Sequence, residues 1–307
     1  MENRELKIYY SIIIPHHNLP HLLMRLLDSI PVREDTEIII VDDNSSSEIV
    51  DFRNFPGIDR RDVKVVFDKK GGFGGYARNI GLKEARGRWV LFADSDDFFN
   101  YCISDILNEY KTNEADIIFF KGNSLDTEFY TASNRSHLLN KYIDLGQKNQ
   151  YKSLLLLKYV FGEPWCKLIK RSLITKNDIW FEESSIHNDT EFSYKIGFYA
   201  NMIVVDNRAL YCVTTRMGSV SRVLSERKKL ERIRTFGKSE KFFCDNKIPV
   251  RPLIHYKQLI CSLITNRETY KNGILILKDL GFSKIHIYKS IILYPINLIL
   301  SKFKYKI

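Results

Sequence analysis

Trp89-Val90-Leu91-Phe92-Ala93-Asp94-Ser95-Asp96-Asp97 is the stretch on which the fold turns. An unbroken apolar run of this length reads as a strand buried on both faces, and the four polar residues stop it abruptly. The same pattern recurs toward the N-terminus. Glu37-Ile38-Ile39-Ile40-Val41 is stopped by Asp42-Asp43-Asn44-Ser45, and Ile8-Tyr9-Tyr10-Ser11-Ile12-Ile13-Ile14 ends at Pro15. Val63-Lys64-Val65-Val66-Phe67 is a third such run. Helix-period stretches lie between them: Leu22, Leu23, Leu26, Leu27 and Ile30, then Ala77, Ile80, Leu82 and Ala85. Toward the C-terminus another helix leads to Asp116-Ile117-Ile118-Phe119-Phe120. Strand alternating with helix predicts an α/β fold, a mostly parallel sheet flanked by helices. Ligands of such sheets sit beyond the carboxyl ends of the strands, where this chain carries two acid clusters.

Composition bounds the function. The 307 residues admit one large domain or two modest ones. With 44% hydrophobic and 27% charged residues, the chain is not disordered, collagen-like or a disulfide scaffold. Lys and Arg number 47 against 37 Asp and Glu, a formal charge of +10 that points to an anionic partner: nucleic acid, a phosphorylated substrate or an anionic lipid surface. Cys102, Cys166, Cys212, Cys244 and Cys261 are scattered with no C-x-x-C, which predicts neither a disulfide framework nor a zinc cluster and suits a reducing cytoplasm. The polar start Met1–Lys7 does not resemble a signal peptide.

Farther along, residues 123–150 are polar and read as an insertion or long loop. Core patterning resumes over 151–215, with a helix from about Asp189 and a strand at Met202-Ile203-Val204-Val205. Beyond about 222 the chain turns to basic, helix-period segments; residues 226–241 hold seven basic residues against three acids.

Four constellations can carry chemistry, three of them with a plainer structural reading alongside. In Asp94-Ser95-Asp96-Asp97, carboxylates at i and i+2 in a turn can converge on Mg²⁺ or Mn²⁺, whose shell is completed by water and substrate phosphate. Equally, Ser95 or Asp97 could cap the following helix. In Asp42-Asp43-Asn44-Ser45, an Asp at a strand end can accept the N3–H of uracil, and the same residues suit a cap and turn. Lys70-Gly71-Gly72-Phe73-Gly74-Gly75-Tyr76-Ala77-Arg78-Asn79 allows close backbone approach, with cations for phosphate or base. Asn188-Asp189-Thr190-Glu191 has N-x-x-E cap spacing, and Asp189 in a first helical turn is either a general base or a complement to the helix dipole. His187 is close enough to line the same pocket. His17 and His21 are spaced i, i+4, but Pro20 breaks the shared helical turn.

In this order the motifs resemble the family-2 nucleotide-sugar glycosyltransferases, of GT-A fold and of the bacterial surface-polysaccharide type (capsule, lipopolysaccharide). Ser11-Ile12-Ile13-Ile14-Pro15-His16-His17-Asn18 is similar to the opening strand motif. Val41-Asp42-Asp43-Asn44-Ser45 is similar to Val-Asp-Asp-Gly-Ser, and Ala77-Arg78-Asn79-x-Gly81 to Ala-Arg-Asn-x-Gly. Phe92–Asp97 is similar to the D-x-D metal motif, Trp165-Cys166-Lys167-Leu168 to Trp-x-Lys-Leu, and Asn188-Asp189-Thr190-Glu191-Phe192 to Glu-Asp-x-x-Phe. Tyr211 through Arg216-Met217-Gly218-Ser219-Val220-Ser221 resembles the closing loop. The resemblance spans about Ser11 to Ser221. His16-His17 stands where the family has Thr-Tyr, and Asn188 replaces the usual Glu.

The resemblance implies an inverting hexosyltransferase that uses a nucleotide-diphosphate sugar, with UDP as the expected nucleotide. Asp43, with Asp42 and Arg78, would hold the nucleobase against Pro15–Asn18. Asp94, Ser95 and Asp96 would bind ribose and diphosphate, with Mn²⁺ or Mg²⁺ on Asp94 and Asp96. Asp189 would be the catalytic base, Arg216 would close over the leaving diphosphate, and Trp165 would either stack on the acceptor sugar or sit in the core. The expected acceptor is a glycan or lipid-linked oligosaccharide hydroxyl. The expected organisation is a catalytic domain 1–221, made of a nucleotide-binding half 1–122 and an acceptor half 123–221, followed by a helical region 222–307.

Two other classes compete. Gly72-x-Gly74-x-x-Ala77 fits the dinucleotide fingerprint of an oxidoreductase, although Asp68, Lys69 and Lys70 separate it from its strand. The charge suits a nucleic-acid binder, but no binding motif accompanies it, so no nucleic-acid partner is expected. Near the C-terminus, Ser290–Ser301 is an apolar stretch of only about a dozen residues, too short to span a bilayer at the roughly 20 required. With Lys302, Lys304 and Lys306, segment 284–306 suits either peripheral contact with the inner face of the cytoplasmic membrane or a helix packed on the domain.

Overall fold

The computed structural model describes residues 7–216, 225–250 and 252–304, with side chains through Ile296. Met217 and the Gly218–Ser221 segment of the closing loop lie outside the described residues. In chain order the elements are β1 Tyr10–His16, α1 Pro20–Asp28, β2 Thr36–Asp43, β3 Val63–Asp68, α2 Phe73–Glu84, β4 Trp89–Phe92, β5 Phe98–Phe99 and α3 Ile103–Tyr110. There follow β6 Ile117–Asp126, α4 His137–Leu145, α5 Gln150–Tyr159, β7 Lys167–Lys170, α6 Arg171–Lys176, α7 Thr190–Tyr199 and β8 Ile203–Thr215. The chain continues with α8 Glu226–Asp245, α9 Ile254–Thr265, α10 Arg267–Asp279 and α11 Lys284–Lys304.

The strands form one eight-stranded sheet in the order β3-β2-β1-β4-β7-β6-β8-β5. Its first four members are mutually parallel. Antiparallel β7 then separates β4 from β6, and β8 runs parallel to β6 and antiparallel to β5. The apolar runs are strands for the expected reason. Ile12, Ile13, Ile14, Ile38, Ile39 and Ile40 are all at most 1% exposed, because helices cover both faces and no polar side is needed. α2 packs on β1 and β2, and α1 buries Leu23, Leu26 and Leu27, its i, i+3, i+4 face.

Residues 123–150 depart from the loop reading. β6 continues to Asp126, and His137–Leu145 is a helix that buries Leu139, Tyr142 and Ile143. That i, i+3, i+4 triplet is present in the sequence, but the polar residues around it mask its period. The cap readings are corrected as well. α3 begins at Ile103 with Cys102 as N-cap, so neither Ser95 nor Asp97 starts it. α7 has Asp189, not Asn188, at its N-cap.

The last four helices share a core of their own around Ile233, Tyr256, Leu259, Leu277 and Ile287. A smaller cluster of Tyr159, Tyr194, Phe243 and Val250 seats α8 on α5 and α7. This seating brings the basic helix α8 alongside the segment that precedes Asp189.

Candidate active site

Parallel, in-register pairing sets the ends of β1 and β2 side by side, with His16 opposite Asp42. His16 Nδ1 donates to Asp42 Oδ2 at 2.7 Å, and His16 Nε2 accepts the Leu19 N–H at 3.1 Å. Ser45 adds its N–H at 3.0 Å and its hydroxyl at 2.6 Å to the same carboxylate. Burial works to raise the Asp42 pKa, but the bonds from His16 and Ser45 outweigh it and hold the group below the ordinary carboxylate range. Asp42 is therefore an internal brace, 1% exposed.

Asp43, one residue on, points to the neighbouring loop, where its Oδ1 accepts the Gly72 N–H at 2.7 Å. Asn18, in left-handed conformation at φ 56°, ties the β1 loop to the β2 loop: its N–H reaches Ser45 Oγ and its Oδ1 accepts the Ser46 N–H, both at 2.8 Å. Pro15 pairs with Val41 just inside this edge. Pro15, Asn18, Asp42 and Asp43 thus share one loop cluster. Arg78, expected beside Asp42 and Asp43, bonds Asp94 and Asn188 instead.

The acid turn after β4 is held from behind. The Asp94 N–H donates to Tyr211 Oη at 2.8 Å, and the Asp96 carbonyl accepts Thr214 Oγ1–H at 2.6 Å. Asp97 faces inward and accepts the Thr214 N–H at 2.6 Å. Burial, reinforced by the Asp96 and Asp94 charges, pushes its carboxyl well above the usual range. Ser95 is buried. Asp94 and Asp96 remain accessible, their side chains 33% and 26% exposed. Arg78 bonds Asp94 Oδ1, and Arg216 Nε bonds Asp96 Oδ2 at 3.0 Å.

Each of these two carboxylates engages its arginine through one oxygen, so the pair fits a hard, oxygen-preferring cation. Among the described residues no group of three or more His, Cys, Asp or Glu could hold a metal ion. The chain would therefore contribute two carboxylates, and phosphate and water the remaining ligands.

Asp94 and Asp189 line the same cavity, of about 470 Å³. Asp189 is at the N-cap of α7 but makes no capping bond with its side chain. Burial raises its pKa to about 6; Arg78 opposes this, and the charges of Glu163 and Asp94 add to it. A carboxyl at this value is a competent base near neutrality. Arg78 links the two acidic segments, donating from Nη1 to Asn188 Oδ1 at 3.0 Å while Nη2 bonds Asp94. The approach of α2 that allows this needs glycine at position 75, where a Cβ would stand 2.0 Å from the Glu182 carbonyl oxygen and 2.8 Å from Asn188 Cβ.

Several cavity residues escaped the sequence reading. Glu163, Arg135, Lys228 and Arg232 line it, yet they come from three separate segments, and the basic run that holds Lys228 and Arg232 carries no local sign that it reaches this cavity. His187 lines it as expected; burial first, and then the Arg232 charge, lower its pKa to about 4. Buried Lys167 reaches Ser193 Oγ at 3.2 Å, and burial pushes its pKa down to about 8 against the pull of Glu163 and Asp189. Trp165 is core: it is 3% exposed and stacks on Tyr211 at 6.3 Å.

The family model described as Glycosyl transferase family 2 matches residues 11–177. Glycosyltransferase GlyA of Streptococcus pneumoniae is 27% identical over 228 residues, 71% of this chain and 32% of GlyA. A cholesterol galactosyltransferase of Borreliella burgdorferi is 28% identical over 242 residues, covering 73% and 65% of the two chains. The poly(ribitol-phosphate) beta-N-acetylglucosaminyltransferase TarS of Staphylococcus aureus is 26% identical over 221 residues, covering 68% and 36%. The chain thus spans between a third and two-thirds of the length of these relatives. Among solved structures, S. aureus TarS 1-349 with UDP-GlcNAc superimposes with a TM-score of 0.60 at 21% identity, over 87% of this chain and 79% of that one. Mannosyltransferase PcManGT of Pyrobaculum calidifontis, with GDP-Man and Mn2+, gives 0.51 at 13% identity, over 98% and 82%. The shared fold is the GT-A type expected from the motifs.

Proposed function

The chain belongs to glycosyl transferase family 2, and from that premise we propose that it is an inverting glycosyltransferase moving a sugar from a UDP-sugar to a hydroxyl of a surface glycan or lipid-linked oligosaccharide. One observation carries the reading: Asp94 and Asp189, far apart in sequence, line one cavity and are linked through Arg78 and Asn188. The solved complexes of TarS with UDP-GlcNAc and UDP support the choice of nucleotide.

In this reading the loop cluster of Pro15, Asn18 and Asp43 receives the nucleobase, with Asp42 as its brace. Asp94, Ser95 and Asp96 receive ribose and diphosphate. Mn²⁺ or Mg²⁺ held by Asp94 and Asp96 would supply charge neutralisation for the leaving diphosphate. Arg78 and Arg216 put two further positive charges at the same phosphates. Asp189 takes the proton of the acceptor hydroxyl. The hydroxyl oxygen then bonds the anomeric carbon as the bond from that carbon to the diphosphate breaks, and the nucleoside diphosphate leaves with the electron pair. A single displacement inverts the anomeric configuration. Alignment of the hydroxyl and the anomeric carbon supplies much of the acceleration.

The dinucleotide reading loses its footing: the Gly72 N–H, which would face a pyrophosphate, is engaged by Asp43. We propose residues 1–221 as the catalytic unit, with a nucleotide-binding half 1–122 and an acceptor half 123–221, followed by a helical C-terminal region 222–307.

A peripheral membrane role is part of the proposal. No helix among the described residues is long and apolar enough to cross a membrane. α11 packs Ile287, Ile291 and Tyr294 inward, while Ile285 and Ile292 on its outer face are 79% and 74% exposed, beside Lys284 and Lys289. An apolar stripe flanked by lysines suits an anionic leaflet.

The decisive experiment is hydrolysis of UDP-Glc, UDP-Gal, UDP-GlcNAc and GDP-Man with and without Mn²⁺. Metal-dependent turnover of one UDP-sugar is expected; turnover of none, with or without metal, overturns the reading.

A further inference from the structure

The cavity that holds Asp189 has a cationic wall that the displacement itself does not use. Arg135 enters from the turn before α4, and Lys228 and Arg232 from the first turns of α8. On α8, Arg227, Lys229, Lys238 and Lys241 are each closed by an acid: Glu231, Glu226, Glu182 and Asp245. Among the described residues Arg135 and Arg232 have no such carboxylate partner.

Arg232 is moreover held in place. Its Nε donates to His187 Nε2 at 2.9 Å, and His187, in left-handed conformation at φ 54°, packs edge-on against Phe236 at 5.0 Å. The bond leaves the two terminal NH2 groups of the guanidinium for a ligand, and a planar fork of this kind matches phosphate oxygens. Phe236, Ile254 and Val160 add apolar surface to the same cavity. Glu163 and Asp189 line the same cavity and disfavour an anion next to them, which leaves the α8 cations as its partners.

Building on the reading of Asp189 as the group facing the acceptor, we infer that Arg232, with Arg135 and Lys228, forms a subsite for a phosphate ester carried by the acceptor. Two sources share this chemistry, a polyol-phosphate chain and a lipid-linked phosphate. The subsite explains why a C-terminal helix outside the nucleotide-binding half is seated on the cavity: it reads the charge of the molecule to be glycosylated.

The test uses the full chain and Arg232→Gln. Binding of polyglycerol phosphate, of a prenyl-diphosphate-linked sugar in neutral detergent micelles and of an uncharged oligosaccharide is measured by calorimetry in the presence of UDP. Where turnover is found, KM is measured for donor and acceptor separately. The expected result is binding of one phosphate-bearing probe and not of the uncharged one, weakened about tenfold or more in Arg232→Gln and partly restored in Arg232→Lys. The kinetic loss is expected in acceptor KM. A donor KM that rises instead would assign these cations to the donor diphosphate and overturn the inference. Equal binding of charged and uncharged probes, or no binding of either phosphate probe, would overturn it too. Donor hydrolysis without acceptor is read in parallel, so failure of the transferase reading shows separately from failure of the subsite.

Discussion

The Arg78 guanidinium bonds the Asp94 carboxylate from the middle of α2, 16 residues earlier in the chain. With its other terminal nitrogen on Asn188, it keeps the acid turn and the Asp189 segment on one cavity. Arg78→Ala removes a buried cation from two polar partners and, in the proposed mechanism, from the site of developing phosphate charge. A fall in kcat of about 10²-fold or more is expected, with UDP affinity changed less. Steady-state kinetics beside UDP calorimetry would separate the two; a change confined to UDP affinity would return Arg78 to the nucleobase.

Asp189 should impose an acid limb on the pH profile. Its pKa is raised to about 6 by burial, and the base must be ionised, so kcat/KM is expected to rise with pH through about 6 and level off above it. The effect on stability has the opposite sign. A raised carboxyl pKa favours folding at low pH, and that advantage is lost as pH climbs from the unfolded value of 3.8 to the folded value of about 6. By linkage the ionised group costs the folded state up to roughly 3 kcal/mol at neutral pH. Asp189→Asn should abolish transfer, retain nucleotide binding and unfold at a higher temperature at pH 7.5. Full activity in this variant would remove Asp189 from the reaction.

Asp94 and Asp96 should be needed for metal dependence. EDTA is expected to stop turnover and Mn²⁺ or Mg²⁺ to restore it. Asp96→Asn should lose most of the metal response, because a neutral amide is a poorer ligand for a hard cation. Titration of Mn²⁺ by its paramagnetic effect on water relaxation, in the presence of UDP, reads this without turnover.

Gly75→Ala tests the seating of α2. The new Cβ would collide with the Glu182 carbonyl oxygen, and backbone cannot move as a flexible side-chain tip can. A loss of about 1–3 kcal/mol in urea unfolding is expected, together with lower kcat through displacement of Arg78. Unchanged stability would mean that the 182–188 segment yields easily.

Ile292→Glu places a charge in the centre of the outer face of α11. The wild-type chain is expected to float with vesicles containing anionic lipid, less so in high salt, and the variant to stay in solution with donor hydrolysis intact. Equal flotation of both would move membrane contact to another surface.

Much of this was legible beforehand because it is local. Three isoleucines followed by Pro15, or five apolar residues followed by four polar ones, can satisfy their burial only as strands with a loop at the end. Asp94, Asp96 and Asp189 stand out as candidates through strand-end and helix-start placement together with motif order. Helix α4 was missed because its buried triplet is diluted by polar neighbours. The bonds of Arg78 to Asp94 and Asn188 are not legible, because spacing along a chain says nothing about which strand end a helix will cross.

The order of strands and helices, the parallel half of the sheet and the position of its acid-bearing ends follow from hydrophobic period and turn chemistry, which are properties of short segments. The division of labour within Asp42-Asp43 and Asp94–Asp97, the bridge from Arg78 to Asn188, the raised pKa of Asp189 and the cationic wall from α8 arose only on folding. Each depends on burial and on charges brought together from distant parts of the chain. Electrostatic energy is set by distance and by the exclusion of water, and neither exists until the tertiary contacts form.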